Sequence, residues 1–133
     1  MRVEGSIEID KPQELVYSLV RDLRRAPEWQ ESLESVDVDG AVEVRRFAGR
    51  RQRATFFVVD DDPPRRLVIS SEGGPAKGRA EFALEPDGDG TRITFALELE
   101  LRGAARFAGG VVRAAAQREI AASLQKLKEL AEA

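Results

Sequence analysis

The chain has 133 residues, of which 42% are hydrophobic and 34% charged, and its formal net charge is −3. This length predicts a single domain over residues 1–133, and the composition is typical of a folded globular protein. The small net charge creates no overall field that would attract DNA or an anionic membrane, and no apolar run approaches the ~18 residues of an integral membrane span. Since the N-terminus lacks the apolar segment of a secretory leader, we expect a cytoplasmic protein.

Histidine and cysteine are both absent from the chain. This excludes disulfides, thiolate nucleophiles, Cys/His metal sites, Ser-His-Asp triads and imidazole bases. Hydroxyls, carboxylates, lysines, arginines and the single tyrosine, Tyr17, remain for any chemistry. We therefore expect no metal and no cofactor.

The first elements in chain order are a strand and a helical region. Residues 2–9 alternate between apolar and polar side chains, which is the period of a half-buried strand. Asp10 and Pro12 then favour the start of a helix, and Pro27 interrupts it. The pattern predicts helical structure over residues 11–32, in two short helices.

A series of alternating segments separated by turn residues predicts an antiparallel meander. Asp39-Gly40 is a strong hairpin signal, and Pro63-Pro64 ends a strand because proline cannot donate to a ladder. The expected strands are 35–38, 41–48, 51–60, 67–71, 79–85 and 92–101. The orientation of residues 51–59 stays open, because this segment is apolar on both faces. It fits burial on both sides, for which contact between the two copies of a homodimer is one explanation.

From about Ala104 the apolar period becomes helical, which predicts a C-terminal helix of thirty or so residues, weakened at Gly109-Gly110. A sheet that must bury a single long helix curls around it. Such a curl tends to leave an apolar hollow, which is a place for a small hydrophobic molecule.

Short sequence pieces spread over nearly the whole chain carry a family resemblance. They are Ile7–Tyr17, Asp22-Leu23, Pro27-Glu28-Trp29, Val36-Asp37-Val38, Asp62–Leu67, and Arg118-Glu119-Ile120 with Leu124. In this order they resemble the START / Bet v 1-like (SRPBCC) superfamily, in its polyketide cyclase/dehydrase and lipid-transport branch. The resemblance implies an α+β helix-grip fold, with a curved antiparallel sheet of about seven strands wrapped around a long C-terminal helix and two short helices after the first strand. It also implies a cavity for lipids, polyketides or similar molecules, and it assigns no catalytic residue.

Aromatic, small and charged side chains supply candidate ligand contacts. Four phenylalanines on separate strands and the last helix either converge on a pocket or fill the centre solidly. By the resemblance Trp29 lies near the cavity mouth, while the simpler interpretation is a core aromatic. The candidate ligand-binding residues are Trp29, Phe56, Phe82, Phe95, Phe107, Val111, Ala115 and Arg118.

The last helix supplies two of these candidates, and each has an alternative interpretation. Ala115, in an alanine-rich stretch, either leaves volume for a ligand or reflects helix propensity alone. Arg118 either projects inward to fix an anionic head such as a carboxylate or lies in solvent.

Five arginines between Arg45 and Arg53 surround one hairpin, and Arg65 and Arg66 follow. This cluster is either a basic patch for RNA, phosphate or an acidic partner, or one half of a set of ion pairs on the outer face of the sheet.

Three functions are compatible with these patterns. The first is a carrier or sensor that binds a small hydrophobic ligand without catalysis. The second is a cyclase or dehydratase that acts on a polyketide-like substrate without histidine or cysteine, mainly by holding it in a reactive pose. The third is a regulator that contacts protein or RNA through the basic hairpin.

Overall fold

Seven strands and two α-helices follow one another in the predicted order. The computed structural model describes residues 1–47, 49–74 and 76–133, so Ala48, the end of one predicted strand, and Pro75, which lies between two predicted strands, are outside the described residues. The elements are β1 (Arg2–Ile9), α1 (Gln13–Arg21), β2 (Leu33–Asp37), β3 (Val42–Phe47), β4 (Arg50–Asp62), β5 (Arg66–Gly73), β6 (Ala76–Asp87), β7 (Gly90–Leu101) and α2 (Gly109–Glu132). A first 3₁₀ helix spans Leu23–Glu28, and a second spans Gly103–Ala108.

All seven strands form one antiparallel sheet in the order β1-β7-β6-β5-β4-β3-β2. β2 to β7 are a simple meander, and β1 closes onto β7 with Val3 opposite Leu97. With α2 lying against it, this sheet confirms the α+β helix-grip fold.

The second α-helix lies closest to β1. A Cβ atom placed on Gly5 would come within 2.8 Å of Ile120 Cγ2, so glycine is what allows the helix to approach the strand this closely. α2 is shorter than predicted, with 24 residues, because the chain first forms the second 3₁₀ helix. Gly103, with a φ of 59°, adopts a left-handed conformation at the start of that turn.

One end of the molecule is packed solid. Trp29 has no exposed surface, and its ring meets Phe82 edge to face with 5.8 Å between ring centroids. Large buried side chains from α1, from β1, β5, β6 and β7, and from the second half of α2 surround this pair. They are Ile9, Val16, Val20, Leu67, Leu84, Ile93, Ile120, Leu124 and Leu127. The hydrophobic core therefore occupies the end of the sheet next to α1.

The orientation of β4, which the sequence left open, is decided by side-chain exposure. Phe56 is 7% exposed and faces inward, whereas Phe57 is 63% exposed on the outer face. The register of β4 against β5 shifts between Val58 and Asp60, and the pairing of the two strands continues from Asp60 onward. The exposed Phe57 is compatible with a homodimer contact, which stays a prediction.

A polar cluster attaches α1 to the sheet. The Tyr17 hydroxyl donates to the Asp61 carboxylate, with the Arg66 carbonyl 3.1 Å away, and Arg21 Nε lies 3.0 Å from Asp61 Oδ2. Burial and the neighbouring carboxylate raise the pKa of Tyr17 well above its usual value. The hydrogen bond from Tyr17 and the Arg21 charge lower the pKa of Asp61. Tyr17 is therefore a neutral donor that holds α1 in place.

We expect Leu124→Ala to lower the free energy of unfolding by about 2–5 kcal/mol, because Leu124 is 2% exposed in the core and the change leaves a cavity. Gln117→Ala, on the exposed face of the same helix, should change it by less than about 0.5 kcal/mol. Urea denaturation measures both. Equal effects would show that the buried face of α2 is assigned incorrectly.

We expect Asp61→Asn to destabilise the protein at neutral pH by about 1 kcal/mol, since the carboxylate is partly screened by solvent. A carboxylate whose folded pKa is lowered contributes stability above its unfolded pKa of about 3.9 and loses it as the pH falls through the folded value. The difference between the two proteins should therefore shrink below about pH 4. Thermal unfolding across pH, with the exposed turn variant Asp89→Asn as control, tests this; a constant difference would contradict it.

Candidate functional site

A hollow of about 520 Å³ lies between the sheet and α2. Sites that enclose small molecules have volumes of roughly 300–1,000 Å³. Its wall comes from β2 to β7, both 3₁₀ helices and α2, while β1 and α1 belong to the solid end. The hollow therefore begins where the core ends.

The hollow exists because the middle strands carry small residues where they face α2. A Cβ atom on Gly78 would lie 3.1 Å from Ser71 Oγ and 3.5 Å from Leu99 Cδ2, so a side chain here would crowd both neighbours on the wall of the hollow. The other small residues of this wall are Ala54, Gly73, Ala76 and Ala80. Further along β6, Phe82 and Leu84 take the same face and fill the interior. The change in side-chain size along one strand marks the boundary between hollow and core.

Three phenylalanines line the deep part of the hollow. Phe82 and Phe95 are directly opposite each other on β6 and β7, and their rings meet edge to face with 4.6 Å between centroids. Phe56 adds a third buried ring from β4. These rings offer a ligand an apolar surface with little conformational entropy to lose.

One side of the hollow is polar and is organised by Arg45 on β3. The Arg45 guanidinium lies 3.0 Å from Glu43 Oε1 and donates to Gln30 Oε1 at 2.6 Å and to Ser32 Oγ at 3.2 Å. The Arg45 side chain is 30% exposed and that of Glu43 is 12% exposed. The ion pair is therefore shielded from bulk solvent but faces the hollow.

Glu119 on α2 completes this side. Its Oε1 accepts hydrogen bonds from the Ser32 backbone N–H at 3.1 Å, the Ser32 hydroxyl at 2.9 Å and the Ser123 hydroxyl at 3.2 Å. Among residues 1–47, 49–74 and 76–133, Glu119 has no ion-pair partner. We call the side chains of this network the polar wall: Gln30, Ser32, Glu43, Arg45, Glu119 and Ser123.

The charges of the polar wall decide what it can receive. Glu43 compensates Arg45, and Glu119 is held only by neutral donors. A ligand carboxylate would meet Glu119 without a spare cation in the polar wall, whereas a hydroxyl or ketone can exchange hydrogen bonds with it.

Four of the eight candidate residues line the hollow: Phe56, Phe82, Phe95 and Val111. The structure places the other four elsewhere. Trp29 is buried behind Phe82, and its indole N–H has no acceptor in the described part of the chain. Phe107 is 88% exposed on the second 3₁₀ helix, Ala115 is half-buried outside the wall, and Arg118 is exposed to solvent. On this stretch of α2 the inward position belongs to Glu119, one residue beyond Arg118.

Sequence reasoning missed the polar wall and the small residues. It grouped Arg45 with the other arginines of the hairpin in one surface cluster. Arg46 and Arg51 do form surface ion pairs, both with Glu34, at 3.3 and 2.9 Å, whereas Arg45 lines the hollow. A signal for the hollow was present in residues 76–80, where small residues alternate with charged ones at the period of a strand.

Two further observations bear on chemistry and location. No group of three potential metal-ligating side chains occurs in the part of the chain that the structure describes. No helix among these residues is long and apolar enough to cross a membrane. The cytoplasmic location stays a prediction.

We expect each of the single variants Arg45→Met and Glu43→Gln to lose more than half of the unfolding free energy that the double variant loses. The reason is that each single change leaves one partner of a shielded ion pair without its counterpart. The coupling free energy in a double-mutant cycle should be roughly 0.5–3 kcal/mol. Denaturant unfolding of the four proteins measures it. Additive effects would indicate that solvent screens this pair.

Comparison with known proteins identifies the family to which the chain belongs. The sequence model of the family described as "Polyketide cyclase / dehydrase and lipid transport" matches residues 1–132. No curated protein sequence gives a significant match.

Solved structures share the fold over their whole length. TTHA0849 from Thermus thermophilus is 25% identical with a TM-score of 0.83, covering 99% of this chain and 97% of that one. A START superfamily protein from Mycobacterium smegmatis is 18% identical with a TM-score of 0.82, covering 98% and 97%. The Zhui aromatase/cyclase from Streptomyces sp. R1128 is 17% identical with a TM-score of 0.80, covering 99% and 93%. At the identities of the last two, the likeness concerns the fold alone.

Proposed function

Because the chain belongs to the polyketide cyclase/dehydrase and lipid-transport family, we propose that it binds a small hydrophobic ligand, such as a lipid or polyketide, as a carrier or sensor. The observation that carries this proposal is the hollow of about 520 Å³ with phenylalanines at its deep end and a polar wall on one side. The ligand is then amphipathic: its apolar body lies against Phe56, Phe82 and Phe95, and its head meets the polar wall.

At the polar wall, the head that fits best is uncharged. Arg45 is already paired with Glu43, and Glu119 repels a second carboxylate that would have to lose its hydration to bind. A hydroxyl both donates to Glu119 and accepts from Arg45 or Gln30, so it can join the network without displacing an ion pair. This differs from the anionic head for which Arg118 was a candidate.

Binding can be followed through Trp29, the only tryptophan, whose ring contacts the wall residue Phe82. Titration with dodecanol, dodecanoate and dodecane distinguishes the contribution of the head group to the affinity from that of the apolar chain. Isothermal titration calorimetry is a second readout. We expect dodecanol to bind about tenfold or more tightly than dodecanoate, because the carboxylate must be desolvated. Tighter binding of dodecanoate would contradict the neutral head, and no binding of any of the three would contradict the proposal.

Filling the hollow should abolish this binding. Ala80→Leu adds three carbons at the centre of the wall and should weaken dodecanol binding by about tenfold or more. Ala83→Leu, on the same strand but facing outward, is the matched control and should bind as the parent does. Equal affinity of the two variants would place the ligand outside the hollow.

A cyclase or dehydratase activity is the second candidate, and one observation favours it. Arg45, Glu43 and Glu119 are ionisable groups that lie together on one side of the hollow, where a folded polyketide chain would meet them. Such an enzyme would act mainly by holding the chain in a reactive pose. Turnover of poly-β-ketone substrates that is lost in Glu119→Gln would support it, and ligand binding without turnover would favour the carrier.

A further inference from the structure

We propose that the segment from Arg102 to Arg113, which forms one rim of the hollow, docks on the surface of an anionic lipid bilayer. This docking stands independently of the proposed function, whereas its use in loading a ligand rests on that function. We call residues 102–113 the rim segment; it comprises the second 3₁₀ helix and the start of α2.

The rim segment presents the two most exposed large apolar side chains of the described residues. Phe107 is 88% exposed and Val111 is 65% exposed. Between them, Ala108 lines the hollow, and so does Val111 itself. An apolar group that touched this pair would therefore lie at the opening of the hollow.

The charge of the same segment is one-sided. Residues 102–113 contain three arginines and no acidic residue, in a chain whose net charge is −3. Arg102 pairs with Glu72 at 2.9 Å, but Arg106 and Arg113 bond only to the backbone carbonyls of Gly103 and Arg2, both at 3.2 Å, in the part of the chain that is described. The guanidinium groups of Arg106 and Arg113 thus keep their full charge for a partner.

This combination selects one kind of partner. Exposed Phe and Val side chains flanked by arginines have the composition of an interfacial segment, in which the apolar groups enter the acyl boundary and the guanidinium groups contact phosphates. The whole protein, with its small negative net charge, is not attracted to an anionic bilayer, so only this face is expected to dock. Because the anchor is small, the docking is reversible, and it directs the opening of the hollow toward the bilayer.

Flotation with lipid vesicles tests the proposal on the full chain. The protein should float with vesicles of phosphatidylcholine mixed with phosphatidylglycerol and much less with phosphatidylcholine alone. Phe107→Ala should weaken the partition by about tenfold or more, through loss of buried apolar area, and Arg106→Glu/Arg113→Glu by at least as much, through charge reversal.

Matched controls separate the rim from general stickiness. Phe57→Ala removes an equally large exposed ring from the outer face of the sheet, and Arg65→Glu/Arg92→Glu makes the same change in charge at the opposite end of the sheet. Both should float as the parent does. Circular dichroism checks that each variant is folded, and dodecanol binding, measured separately, should survive Phe107→Ala.

Three results would overturn the proposal. They are absence of the parent from the vesicle fraction, equal loss in the control variants, and a dimer in sedimentation that Phe107→Ala converts to monomer while vesicle binding is unchanged. The last would assign the apolar pair to contact with a second copy of the chain. Loss of dodecanol binding with intact flotation, or the reverse, shows which of the two proposals has failed.

Discussion

The close approach of α2 to β1 is the contact on which the rest of the structure depends. At Gly5 the strand offers no side chain, and Ile120 occupies the space a Cβ would take. This contact anchors the second half of the helix on the first strand, next to the core around Trp29 and Phe82. The first half then extends over strands in which several inner positions are small, such as Gly78 and Ala80, so it spans a hollow instead of closing onto a core.

The hollow is stable because its polar side is internally satisfied. Glu119 links α2 to Ser32, Arg45 links β3 to the segment after the first 3₁₀ helix, and Glu43 neutralises Arg45. Buried polar groups that lacked such partners would cost more free energy than the surrounding contacts return. The same network that ties helix to sheet is therefore the part of the wall able to recognise a polar head, and binding and local stability are coupled at these residues.

The two ends of the molecule differ in what they expose. At the solid end, Tyr17 and Arg21 fix α1 to Asp61, and the charged side chains are largely paired. At the open end, Phe107 and Val111 stay in solvent, and Arg106 and Arg113 of the same segment bond to backbone carbonyls. This difference would suit the proposed ligand carrier, because the core must persist while the opening meets whatever supplies or receives the ligand.

Local patterns in the chain were enough to predict the elements and their order. Alternation over residues 2–9 predicted β1 with its observed bounds, and turn residues placed the meander, because the periods of strand and helix are local properties of the chain. Such patterns could not tell which side chains meet: Phe56 and Phe57 are equivalent in pattern, yet one is buried and the other exposed. Arg45 resembled a surface charge, but it lies with Glu43 on the face of β3 that lines the hollow. Phe107 was assigned to the last helix but lies on the 3₁₀ helix before it, and Arg118 lies in solvent while its neighbour Glu119 lines the hollow. These positions follow from where α2 begins and how closely it crosses the sheet, and both are set by contacts between residues far apart in the chain.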